Sequence, residues 1–148
     1  MPSLLDRLMD DDLAPGTSRP APLASQLRAA LARDLEALLN TRRADNRAGF
    51  SSYPRAADSI LTFGLPETHG LGLQTPSDRM QLAEKLRRAI VRHEPRLRQV
   101  QVSVLPTRDG DHPIRLRIDA ELRQVSARTP VSFDATLKLS SNAYRVRG

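Results

Sequence analysis

Cysteine and tryptophan are both missing from this chain of 148 residues. Without cysteine there is no disulfide framework, no thiol nucleophile and no cysteine-ligated zinc. The same absence fits a reducing compartment. Aromatic residues are few: Phe50, Tyr53, Phe63, Phe133 and Tyr144 complete the set. A platform for stacking unpaired bases needs more of them, set in alternation along strands. No run approaches the roughly 20 apolar residues of a membrane-spanning helix. The opening MPSLLDRLMDDD carries four aspartates and lacks the basic start and apolar stretch of a secretory signal. The expectation is a protein held in the cytoplasm, without direct insertion into a membrane.

Lysine is scarce too, with Lys85 and Lys138 alone, yet the net charge is +6. Arginine therefore supplies the surplus. Its planar guanidinium suits bidentate, partly desolvated ion pairs. The balance points to an acidic partner, either nucleic acid or the acidic face of another protein. Chemistry has little to work with. His69, His93 and His112 sit in separate contexts, with no metal-ligand spacing between them. No phosphate-binding glycine loop, nucleophile elbow or dinucleotide fingerprint occurs. Carboxylates are scattered along the chain. Neither a cofactor nor a metal is expected, and the chain does not read as an enzyme.

What is present is periodic. Residues 1–22 form a short apolar segment, with Leu4, Leu5 and Leu8, followed by the linker DDDLAPGTSRPAP. Such a tethered segment can serve as a docking peptide. Residues 23–148 read as a single domain. Leu27, Leu31, Leu35 and Leu38 recur at helical spacing, predicting a helix from Ser25, as N-cap, to about Thr41. Residues 42–58 lack periodicity and read as a structured loop. SILTFGLP (59–66) predicts one or two helical turns packed on the core through Ile60, Leu61 and Phe63, stopped by Gly64 and Pro66. Thr75-Pro76-Ser77-Asp78 is a strong helix start. Leu82, Leu86, Ala89 and Ile90 follow as an apolar stripe, and Pro95 ends the helix near His93.

The second half changes period. Val100, Val102 and Val104 alternate with polar residues, and Arg108-Asp109-Gly110-Asp111 reads as a turn. Ile114, Leu116, Ile118, Ala120 and Leu122 alternate with Arg115, Arg117, Asp119 and Glu121. A third strand runs near Val131, Phe133, Ala135 and Leu137. The expected fold is α+β, with N-terminal helices packed on a three-stranded, mostly antiparallel C-terminal sheet.

Charge collects on the third helix and just past it. Arg79, Lys85, Arg87, Arg88, Arg92, Arg96 and Arg98 face only Glu84 and Glu94. A solvated helix face is the plain explanation, and an electropositive docking surface the functional one. Glu94-Pro95-Arg96 lies at the junction of helix and strand. Pro95 holds its own backbone angle and pushes Glu94 toward an extended shape. A rigid corner that displays two opposite charges would engage a partner at little ordering cost. The simpler alternative is that Glu94 and Arg96 satisfy each other or nearby backbone. On the sheet, Arg115, Arg117 and Arg123 line the wet face, as edge protection or as recognition of an acidic partner.

Four blocks in order, LEALLNTRR (35–43), SILTFGLP (59–66), RRAIVRHEPRL (87–97) and PVSFDATL (130–137), resemble the TssE family. This GPW-type family is related to phage tail baseplate wedge proteins. The sequence departs at Thr62 and Phe63, where the family often has Asn and Tyr. The resemblance implies a structural baseplate subunit of a type VI secretion machine. It assigns Glu94, Pro95 and Arg96 to the family's EPR motif, which holds the subunit against its wedge partners. Those partners are TssF and TssG, with a TssK-like subunit nearby. It implies that a free sheet edge pairs with sheath subunits of the TssB and TssC type and seeds their polymerisation. The partner-binding set expected is Arg88, Arg92, Glu94, Pro95, Arg96, Arg115 and Arg117. Charge reversal at Glu94 or Arg96 is expected to leave folding intact and abolish partner binding. The arginine count alone supports a second class, a basic nucleic-acid-binding module.

Overall fold

The computed structural model describes residues 23–43, 53–57, 59–66, 75–105, 113–123 and 129–148. The N-terminal segment, the turn at 108–111, and His69 and His112 lie outside the described residues. Helix α1 spans Leu23–Asn40. Leu27, Leu31, Leu35, Leu38 and Leu39 are all buried, as their spacing requires. The helix starts two residues before Ser25, which sits exposed in its first turn rather than as the cap. Leu23 and Ala24 are strong helix formers, so nothing delays the start to Ser25. At the far end Asn40 Nδ2 donates to the Glu36 carbonyl at 2.9 Å, and Thr41 Oγ1 donates to that of Ala37 at 2.8 Å. These side-chain bonds add to the backbone ladder of the last turn, where Thr41 N also donates to the Ala37 carbonyl at 3.1 Å.

The stretch expected to be loop contains a two-residue strand β1 (Arg42–Arg43) and a short helix α2 (Pro54–Ala57). A single 3-10 turn follows at Ile60–Thr62, then β2 (Leu65–Pro66), which pairs with β1 in parallel. Here the expected packing is corrected. Ile60 and Leu61 are 83% and 65% exposed, whereas Thr62 is 4% exposed. Thr62 Oγ1 donates to the Ser59 carbonyl at 3.0 Å, so its polar atom is satisfied and can be buried. Gly64 has φ +105, and a Cβ there would lie 2.6 Å from the Thr41 carbonyl oxygen. Only glycine allows that approach, which lets Leu65 N donate to Thr41 O at 2.8 Å.

Helix α3 spans Pro76–His93 and opens with a full capping box between Thr75 and Asp78. Leu82, Leu86, Ala89 and Ile90 form its buried face. Among the described residues the sheet has four antiparallel strands, not three: β3 (Leu97–Val104), β4 (Ile114–Leu122), β5 (Thr129–Lys138) and β6 (Ala143–Arg147), in the order β3-β4-β5-β6. The extra strand is short, and a tight turn precedes it in which Asn142 takes φ 48, a conformation asparagine tolerates. Tyr144 and Val146 are buried, while Arg145 and Arg147 are exposed. Along β3 both Leu97 and Val100 are buried, three positions apart, which strict alternation forbids. A bulge between Arg98 and Gln101, with Gln99 at φ 52, restores the inward direction. The apolar faces of α1, α3 and the sheet share one core that includes Leu31, Leu35, Leu86, Ile90, Leu116, Ile118 and Phe133. The sheet's other face is turned to solvent.

Candidate docking surfaces at the elbow and the sheet margins

Glu94 caps the end of α3, its N–H donating to the Ile90 carbonyl at 2.8 Å. Its backbone, at φ −120 and ψ 80, has left helical geometry, as Pro95 requires. The carboxylate then folds inward. Glu94 Oε1 accepts from Arg96 N at 3.2 Å and Arg96 Nε at 2.7 Å, and Oε2 accepts from Arg96 Nη2 at 2.5 Å. The same Nη2 donates to Asp34 Oδ2 in the middle of α1. The Arg96 carbonyl accepts from Arg123 N at 2.8 Å, which ties the elbow to the end of β4. Bonds from Glu94, then Asp34, raise the Arg96 pKa further above its ordinary value, so the guanidinium is always charged.

This corrects the expected display of two charges at a surface corner. Glu94 is 5% exposed, and the Arg96 side chain is 20% exposed. Of the tripeptide, only Pro95 is openly exposed. The simpler alternative, in which Glu94 and Arg96 satisfy each other, describes the geometry. It also adds Asp34, so the elbow is a clamp that joins α1, α3 and β4. Behind it, His93 Nε2 lies 3.0 Å from the Thr62 carbonyl, and its ring meets Phe63 edge-on at 5.4 Å. Thr62 and Phe63 thus contact the last residue of α3.

Part of the basic run on and just past α3 is paired in place. Glu84 accepts from Arg87 Nε at 2.8 Å and from Arg88 Nε at 2.6 Å. Hydrogen bonds from these two arginines lower the Glu84 pKa to about 2. Arg98 faces Glu121 at 3.3 Å, without hydrogen-bond geometry. Arg87, Arg88, Arg96 and Arg98 therefore each have a carboxylate against them. Arg88 and Arg92 remain exposed on the helix.

The two margins of the sheet differ. At β6, α1 supplies side chains where another strand would pair. Asn40 Oδ1 accepts from Tyr144 N at 2.8 Å, and Asn40 Nδ2 donates to Tyr144 O at 2.8 Å. Glu36 Oε2 accepts from Val146 N at 2.8 Å. The helix thus imitates a strand, and this margin is closed. Asn40→Ala should cost about 1–3 kcal/mol, because it strips three bonds, two of them to Tyr144, and leaves the Tyr144 amide unpaired. Denaturant melts and hydrogen exchange read this: faster exchange at Tyr144 is expected, and an unchanged melt would show that water replaces the side chain.

The β3 margin is different. Leu105 N donates to Arg115 O at 2.8 Å, and Gln101 and Ser103 pair with Asp119 and Arg117. Direction alternates along a strand, so the N–H and C=O groups of Val102 and Val104 point away from β4. Among the described residues no strand pairs with that side of β3. Arg115 and Arg117 are exposed on the solvent face of β4, next to this margin rather than on it.

The family model for "Baseplate wedge protein gp25" matches residues 25–127. The chain belongs to that family. The match runs from α1 through β4 and includes the elbow and the β3 margin. No curated protein matches this gp25-family chain. A chain of a solved structure described as "The baseplate complex from the type VI secretion system" is similar in fold. The likeness covers 76% of this chain and 94% of that one, with a TM-score of 0.51 and 15% identity. Sequence reasoning missed Asp34, Glu36 and Asn40, which hold the elbow and close a margin. Their signal was visible only as polar positions on the flank of an amphipathic helix.

Proposed function

We propose that this gp25-family chain is a structural wedge subunit of a type VI secretion baseplate, a contractile machine of the phage-tail kind. One of its surfaces links wedge subunits, with TssF, TssG and a TssK-like protein as partners. Another, the β3 margin, starts the sheath by accepting a strand from subunits of the TssB and TssC type. It acts in the cytoplasm, uses no cofactor and is not an enzyme. Its partners are proteins, not nucleic acid.

The observation that carries this reading is the inequality of the margins. The chain closes the β6 margin with its own α1 side chains and leaves Val102 and Val104 with backbone groups turned outward. Such a margin is a template for another strand, and a lone protein would be expected to blunt it. The likeness to a chain of a type VI baseplate complex supports the setting. The elbow acts through shape in this reading. The Glu94–Arg96–Asp34 clamp sets the angle at which Pro95 and the neighbouring Arg92 are presented. Arg88, Arg115 and Arg117 are the other partner-facing cations.

Co-expression with TssF- and TssG-type subunits tests the wedge role, and sheath length by electron microscopy tests the second. The chain is expected to co-purify with the wedge pair and to be required for ordered sheath growth. Sheath of normal length and number without it would overturn the seeding role. Micromolar, salt-sensitive gel shifts with DNA would instead favour the nucleic-acid class.

A further inference from the structure

The solvent face of the sheet carries a charge pattern that emerges only from register. Along β4 the outward residues run Arg115, Arg117, Asp119, Glu121. The strand is basic at one end and acidic at the other. The acidic end is occupied from within: Ser132 Oγ donates to Asp119, and Glu121 faces Arg98 at 3.3 Å. The basic end is reinforced. Arg115 sits opposite Thr136, and Thr136 sits opposite Arg145. Arg117 sits opposite Asp134, and Asp134 sits opposite Arg147. Four arginines therefore stand in two columns, on β4 and β6, with shorter side chains between them on β5.

One carboxylate serves the group. Asp134 lies 3.6 Å from Arg117, a loose and exposed pair. Among the described residues no carboxylate lies within ion-pair reach of Arg115, Arg145 or Arg147. Asp134 alone is set against four arginines, so the patch keeps a surplus of positive charge that its own strands do not balance. Helices α1 and α3 pack on the opposite face, and among the described residues no element covers this one.

We propose that this four-arginine valley receives a carboxylate-bearing helix of a partner protein. The inference rests on the partner-facing role proposed for Arg115 and Arg117, and it adds Arg145 and Arg147 together with the shape of the ligand. The columns stand two strand spacings apart, about 10 Å, which is the width of a helix. Successive arginines in a column are about 7 Å apart, close to the roughly 6 Å rise between helix positions i and i+4. Glutamates on both flanks of one helix would therefore meet both columns. A nucleic acid suits the face less well. Its phosphates would continue over Asp119 and Glu121, and among the described residues no aromatic side chain stands outward on this face to stack a base.

The test uses the full chain and a fluorescein-labelled helical peptide with glutamates at i and i+4 on both flanks. Anisotropy is read at two salt concentrations, with amide shifts mapped by NMR. A proline-interrupted peptide of equal charge and a short DNA duplex serve as comparisons. The helical peptide should bind best, shift amides at the four arginines, and lose on the order of tenfold in affinity with R145E/R147E. That variant should keep its melting temperature, since both side chains are exposed. Equal binding by the variant, tighter binding of DNA or of the interrupted peptide, shifts on another face, or self-association through this face would each overturn the proposal. Co-purification of R145E/R147E with the wedge subunits separates the outcomes. A peptide that fails while co-purification survives removes the valley and leaves the wedge role standing.

Discussion

Arg96→Met should lower the unfolding free energy by about 3 kcal/mol and the melting temperature by about 10 °C. Glu94 is 5% exposed, and among the described residues its side-chain partners all come from Arg96. Removing the guanidinium strands a carboxylate in the interior, and breaking a buried pair from one side typically costs about 3–5 kcal/mol. The low end applies because Arg96 keeps a 20% exposed side chain. Asp34, being half exposed, should lose little. Charge reversal at either position is expected to be worse, since two like charges would then face each other. Such variants therefore should not fold normally, contrary to what the sequence implies, because Glu94 is buried against Arg96. The double variant Glu94→Leu with Arg96→Met should recover most of the loss, because a well-packed apolar pair replaces a buried ion pair at little net cost. That variant also separates fold from docking. If it melts normally yet fails to co-purify with wedge subunits, the charges touch the partner. If it binds, they serve only to set the corner. A single Arg96→Met variant melting within about 2 °C of the parent would show that the clamp carries no such strain.

The legible parts of this fold were the ones written in local period. Leu27, Leu31, Leu35 and Leu38 announce α1, and Thr75-Pro76-Ser77-Asp78 announces α3 down to its capping box. Ile114 to Leu122 alternates so strictly that β4 follows directly. Other features depend on distance along the chain. Asp34 reaches Arg96 across 62 residues, and Asn40 reaches Tyr144 across 104. No local pattern marks either pair. Strand β6 is five residues long, too short for alternation to stand out from chance. The bulge at Gln99 breaks period on purpose, so Leu97 was not joined to Val100. In the 3-10 turn, apolar identity misled: Ile60 and Leu61 face water, and a threonine with a satisfied hydroxyl is buried instead. The elbow was found by its residues, but its direction was not, because burial of Glu94 depends on a helix supplied from elsewhere. The same limit hid the arginine valley, which exists only once β4, β5 and β6 are in register.

Val102→Pro should abolish sheath seeding while the protein stays folded. Proline has no N–H, and at Val102 that group points away from β4. The substitution therefore deletes a donor from the open margin and none from the β3–β4 ladder. Some packing is lost with the valine side chain, which lies partly against the core, for a cost of about 1 kcal/mol. Ser103→Pro is the mirror experiment. Its N–H belongs to the ladder with Arg117, so proline there should cost about 2–3 kcal/mol and melt early. One residue of offset thus exchanges a binding defect for a stability defect, which ordinary surface mutations do not do. Val102→Pro should still co-purify with the wedge subunits, because the elbow lies at the other end of the strand. Seeding by Val102→Pro at the parent rate would mean that no strand joins β3. The sheath contact would then have to be sought on the sheet's face rather than at its edge.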